Sequence, residues 1–149
     1  MRLGVLDVGS NTVHLQVFDT FIGSRPSPIS NLKVELRLAE YVSSDGIVSA
    51  EGVKRLRDAI QRCLDAYRLS EAKELLPFAT SALRESRNGP EIITGINRDF
   101  EIDLQTIYKF FHCITDESIE TNFFLKVGYK KARLKIQSRF KLLLQAKVD

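Results

Sequence analysis

The sequence predicts an α/β protein, a mixed β-sheet flanked by helices in the order β-β-β-α-β-α-β. Two apolar runs near the N-terminus are separated by only Gly9, Ser10 and Asn11, a spacing that fits an antiparallel hairpin. Residues 50–68 place apolar side chains at three- and four-residue intervals, the pattern of an amphipathic helix. Downstream, short apolar or alternating segments exchange with helical ones, as in a sheet covered by helices.

The first run, Arg2–Asp7, is almost continuously apolar and so belongs in a sheet interior. The second, Thr12–Asp19, sets Val13, Leu15 and Val17 against His14, Gln16 and Phe18. "FIGSRPSPISN" carries Gly23, Pro26 and Pro28 and is expected to be a turn-rich connection. From Leu32, "LKVELRLAE" turns Leu32, Val34, Leu36 and Leu38 inward, giving a third strand of a meander. Ser49 is a suitable N-cap for the 50–68 helix, whose apolar face holds Val53, Leu56, Ile60, Cys63, Leu64 and Tyr67. "ELLPFAT" reads as a strand ending at Thr80, and "SALRES" as one or two helical turns. Asn88 starts a helix bearing Ile92, Ile93, Ile96 and Phe100, and "EIDLQTI" is a last alternating strand.

The 149 residues suit one domain with a real core, with 44% apolar and 28% charged residues. No stretch approaches the roughly 20 apolar residues of a membrane span, and the N-terminus lacks a signal-peptide pattern. Cys63 and Cys113 have no metal-like spacing and read as reduced thiols, so a cytoplasmic location is expected. The interleaved acids on the 50–68 helix argue for a solvated face, and nucleic acid is not expected as a partner. Charge is uneven: residues 1–107 hold 13 Lys and Arg against 15 Asp and Glu, whereas residues 108–149 hold 9 against 4.

The chemistry concentrates in "DVGSNTVH". A tight bend between strands offers backbone N–H groups, Gly9 allows close approach, and Ser10, Asn11 and Thr12 add side-chain donors. Asp7 repels an anion unless it holds a divalent cation, commonly through water, or orients an attacking water. A polar hairpin turn whose Asp and Asn bond their own backbone explains the same residues equally well. His14 reads as a packed or hydrogen-bonded histidine, and Arg37 as a weaker phosphate candidate, since an outward strand charge is usually just solvated.

"GVLDVGSNTVHLQV", "VELRLAE", "DGIVSAEGVKRLRDAI" and "LPFATSALRESRN" together resemble the N-terminal lobe of the exopolyphosphatase/guanosine pentaphosphate phosphatase (Ppx/GppA) family, within the actin/Hsp70/sugar-kinase superfamily. The four segments fall in register over residues 1–107. The resemblance implies a ribonuclease-H-like lobe and a Mg²⁺-dependent phosphoanhydride hydrolase acting on polyphosphate or guanosine pentaphosphate. By position it gives Asp7 the metal or water. Gly9, Ser10 and Asn11 would cradle phosphate, and Thr80, Ser81 and Arg84 would line the cleft. A surface ion pair with Glu85 is the alternative for Arg84.

The likeness stops near Ile107. The family's glutamate motif, its second Gly-rich phosphate loop and its second lobe are not found in residues 108–149, which read as a divergent basic tail able to form an amphipathic helix. "TDESIETNFF" offers Glu117 as a weak substitute for the general base. His112, Cys113, Asp116 and Glu117 lack the pairing of a metal site. The expectation is a truncated and poorly active hydrolase lobe. A non-catalytic phosphate-binding remnant and a basic-tailed interaction protein are the alternatives, and a homodimer could supply the missing wall.

Overall fold

A computed structural model of the chain describes residues 1–21, 26–80 and 82–106, which lie within one compact unit, Met1–Thr106. Its elements are β1 (Arg2–Val8), β2 (Thr12–Asp19), β3 (Ser27–Glu35), a 3₁₀ turn (Leu38–Tyr41), α1 (Ala50–Leu69), β4 (Glu74–Ala79), α2 (Ala82–Glu85), α3 (Gly89–Phe100) and β5 (Gln105–Thr106). They form a five-stranded sheet in the order β3-β2-β1-β4-β5. β1 pairs antiparallel with β2, and β2 with β3, which is the expected meander. β4 runs parallel to β1, and β5 parallel to β4. The central β1 is the continuously apolar strand, as a strand paired on both edges and covered on both faces requires.

Alternation sorts the side chains. Leu6, Val8, Val13, Leu15 and Val17 join the main core with Leu56, Ile60, Cys63 and Leu64 of α1 and Ile96 of α3. Each fully buried leucine or isoleucine there is worth about 1.5–3 kcal/mol over an exposed one. Leu3 and Val5 are buried on the opposite face of β1, the face that also carries Asp7. Ser49 caps α1 by accepting the N–H of Gly52 at 3.2 Å, as its residue type foretells. Cys63 is wholly buried, which pushes its thiol up to about 11 and leaves it unreactive. Cys113 and the proposed tail helix lie outside the described residues.

Several bounds differ from expectation. β3 starts at Ser27, inside the segment read as a connection, because an edge strand tolerates Pro28. It ends at Glu35 rather than running on through Leu38. Leu36 and Leu38 are still buried, but at a bend rather than in a strand. Phe18, expected to face outward with His14, is buried: it pairs with Leu3 of β1 in an unbroken register, and Leu3 is itself buried on that face. β5 is reduced to two residues.

The helices are tied down by side chains that imitate backbone. Asn88 accepts from Val48 N–H and donates to the Val48 carbonyl, both at 2.9 Å. Asn97 does the same for Leu104, at 2.8 and 3.1 Å. Arg57 of α1 bonds Asp99 of α3 and lies 5.3 Å from the Phe100 ring centroid. The consequence for the site is directional. The end of β1, the start of β2, the end of β3 and the end of β4 all meet at one edge of the sheet, since Val8 pairs with Ala79 and Thr12 with Glu35.

Two predictions follow from this packing. A methyl group on Gly89 would sit 1.8 Å from the Leu83 carbonyl oxygen, so α3 must shift to admit it. Gly89→Ala should lower stability by about 2 kcal/mol or more in urea unfolding, and an unchanged midpoint would show that the helix start moves freely. Hydrogen bonds from Arg98 and then Arg57 hold the Asp99 carboxyl down to about 2. A carboxyl depressed on folding stabilises above its unfolded value, near about 4, and that contribution is lost as pH falls through about 2. Asp99→Asn should therefore flatten the loss of stability between about pH 4 and pH 2, modestly because the pair is solvent-accessible. Parallel acid limbs in the two proteins would exclude it.

Candidate functional site

Three segments converge at the sheet edge just described: residues 9–11 between β1 and β2, residues 36–38 after β3, and Thr80 and Ala82 after β4. In the first, Gly9 N–H donates to the Thr12 carbonyl at 2.9 Å, closing the bend, and a side chain on Gly9 would crowd that same oxygen at 3.1 Å. The expected cradle therefore loses one donor: the Gly9 amide serves the turn. Among the described residues, the N–H groups of Ser10 and Asn11 donate to no protein atom.

Two carbonyls of the same bend, those of Ser10 and Asn11, are engaged. Leu38 N–H donates to Ser10 O at 2.6 Å, and Leu36 and Arg37 N–H donate to Asn11 O at 2.8 and 3.1 Å. A trans peptide points its C=O and N–H in opposite directions. Fixing the Ser10 carbonyl on Leu38 thus aims the Asn11 N–H away from the strap and leaves it available to an anion. Leu36 and Leu38 anchor the strap in the core, at 2% and 0% exposure.

On the other side, the Ala82 N–H donates to Ser10 Oγ at 3.1 Å. Ser10 thereby holds the start of α2, whose third residue is Arg84, and its hydroxyl proton remains available to a ligand. Thr80 is buried and extends the β1–β4 ladder by donating its N–H to the Val8 carbonyl at 2.9 Å. Arg84 is ion-paired with Glu85, the pairing anticipated for it, and its side chain is 21% exposed.

Asp7 stands at the base of the bend, half-buried, with its Oδ1 atom buried. Its register partners are His14 on β2 and Phe78 on β4, and His14 in turn pairs with Lys33 on β3. His14 Nε2–H donates to Asn31 Oδ1 at 2.7 Å, the hydrogen-bonded role its position suggests. Among the described residues no three His, Cys, Asp or Glu side chains cluster as a metal site. A single carboxylate at the base of a bend with available amides is a donor set that fits Mg²⁺, which commonly takes one or two protein carboxylates and completes its shell with water and phosphate oxygens. Ser81, His112, Cys113, Asp116 and Glu117 lie outside the described residues.

Sequence reading placed Asp7, Gly9, Ser10, Asn11, Thr80 and Arg84 near one another, and their backbones are. It missed the strap, and with it the setting of Arg37. That residue is not on a strand: it occupies a left-handed conformation, φ 52°, directly beside Asn11, and pairs with Glu35 and Glu40 at 3.0 and 3.3 Å. Only the two flanking leucines hinted at a buried turn.

The fold is that of an actin-like ATPase lobe, and solved structures agree. An exopolyphosphatase from Cytophaga hutchinsonii matches with a TM-score of 0.66 at 27% identity over 72% of this chain and 34% of that one. An Aquifex aeolicus Ppx/GppA enzyme matches at 0.65 with 20% identity over 72% of this chain and 36% of its own. The model of the Ppx/GppA phosphatase family matches residues 17–109, so the chain belongs to that family. Among curated relatives, exopolyphosphatase 1 of Mycobacterium tuberculosis is 41% identical over 107 residues, covering 72% of this chain and 31% of the relative. The Mycobacterium leprae protein of the same name is 39% identical over an equal length. The chain spans about a third of the length of these relatives.

If Ser10 joins the two loops as described, Ser10→Ala should strand the part-buried Ala82 N–H and lower stability by about 1–3 kcal/mol. Amide resonances of residues 82–85 should shift in the same variant. Unchanged α2 resonances would show that the hydroxyl is not its tether.

Proposed function

We propose that the chain acts on phosphoanhydrides as an exopolyphosphatase-type hydrolase, with the described lobe gripping the terminal phosphate of an inorganic polyphosphate chain. The observation that carries the reading is the pair of available amides, Ser10 and Asn11, the second of them aimed by the strap, in the bend that follows Asp7 on β1. Polyphosphate is the first substrate because the matched curated mycobacterial relatives are named for it. Guanosine pentaphosphate is the second, from the family's wider name. The compartment is taken as the cytoplasm; no helix of the described residues is long and apolar enough to cross a membrane.

In this reading the Ser10 and Asn11 amides and the Ser10 hydroxyl bind non-bridging phosphate oxygens. Ser10 also orients the Arg84 segment from which a guanidinium can take an oxygen pair. Asp7 would hold Mg²⁺ through water; when bound, the ion offsets negative charge on the phosphate. Asp7 Oδ1 can alternatively accept a proton from the attacking water and fix its direction. Glu117 remains the proposed general base, and a second copy of the chain the proposed source of a facing wall.

The test is orthophosphate release from long-chain polyphosphate by the full chain with Mg²⁺, run beside Asp7→Asn and beside guanosine pentaphosphate. Slow release that falls by about 100-fold or more in the variant is expected. Equal release by both proteins would remove Asp7 from the chemistry. No release together with no phosphate binding would reject the proposal.

A further inference from the structure

The strap does more than aim the amides. Leu36 and Leu38 are buried in the core, and Arg37 between them is exposed. Its N–H is bonded to Asn11, which fixes its backbone against the bend. Its side chain is 61% exposed, and among the described residues its guanidinium pairs with Glu35 and Glu40, whose side chains are 75% and 59% exposed. Ion pairs so open to water are weak, so a polyanion can displace them. Its backbone is left-handed, which is unfavourable for a residue with a side chain and is held here by the bond to Asn11.

Along the sheet edge the order is Arg37 after β3, the Gly9–Asn11 bend between β2 and β1, then Thr80 and the Arg84 segment after β4. From β3 to β4 is three strand spacings, about 14 Å. A lone orthophosphate in the bend cannot reach along that row. A chain of linked phosphates can. Resting on the proposed function, we infer that Arg37 contacts a phosphate beyond the one seated in the bend. It thereby gives this lobe its preference for a phosphate chain over orthophosphate. It is a specificity residue, with Glu35 and Glu40 parking its guanidinium when no chain is bound. The two glutamates repel the same ligand once Arg37 is removed, so its loss acts twice.

The experiment uses the full chain with Mg²⁺ at low salt, titrated separately with orthophosphate and with tripolyphosphate, following binding by calorimetry and the Ser10 and Asn11 amides by NMR. Wild type should bind tripolyphosphate more tightly. Arg37→Ala should cut tripolyphosphate affinity about ten-fold while orthophosphate affinity holds, and Arg37→Lys should restore part of it. Glu40→Gln should tighten tripolyphosphate about two-fold, and it decides the matter if Arg37→Ala does not fold. Orthophosphate binding with an unchanged tripolyphosphate ratio in Arg37→Ala and Glu40→Gln would overturn this inference alone. Absence of orthophosphate shifts at Ser10 and Asn11 would overturn the bend as a phosphate site, and this inference with it.

Discussion

The hydrogen bond from Leu38 N–H to the Ser10 carbonyl, 2.6 Å long, is the constraint on which the rest of the site depends. A bend of three residues between two strands has few ways to define its own peptide planes. Here an outside segment fixes two of them, because three consecutive N–H groups, from residues 36 to 38, take up the Ser10 and Asn11 carbonyls. The planar peptide converts that grip into a direction for the Asn11 N–H. The core enters at the same point: Leu36 and Leu38 are buried among the side chains that α1 packs on. Hydrophobic burial and donor geometry are thus one arrangement.

Ser10 carries the constraint across the sheet edge. Its carbonyl faces the strap after β3 and its hydroxyl oxygen faces the first N–H of α2, 72 residues away. One residue therefore joins segments that enter from β3 and from β4. Preorganised donors are valuable because they need not reorganise when charge arrives, and this double attachment is how a loop without regular structure of its own achieves that. Asp7 is placed by different means, as a member of the most buried strand.

Much of this was legible in the sequence. The hairpin, the long amphipathic helix and its Ser49 cap rest on local periodicity and capping chemistry, and all three stand. Buried positions were readable even where the geometry was not. Leu36 and Leu38 were correctly sent inward, but alternation at period 2 cannot distinguish a strand from a bend that happens to bury every second residue. Phe18 was misplaced because alternation names a face but not whether that face is buried, as it is beside Leu3. Ser27–Asn31 was taken for a connection because its prolines and serines describe turns, whereas its pairing is imposed by β2. At the site, Asp7 and the bend were visible as a motif with chemical logic. The loss of the Gly9 amide to the turn and the Ser10–Ala82 bond depend on contacts between distant residues, which no local pattern encodes.

The three-on-two stitching of residues 36–38 to the bend also limits how this lobe can change in length. One extra residue in either partner would slide the N–H groups past the carbonyls, turning the leucines outward or the donors away, so both segments must stay fixed in size. The neighbouring 43–47 loop is pinned through its own turn bonds and by Arg87 N–H on Gly46, outside the bend. Length variation within this lineage should accordingly gather in that loop, leaving the segment that ends β3 as invariant in size as the bend itself.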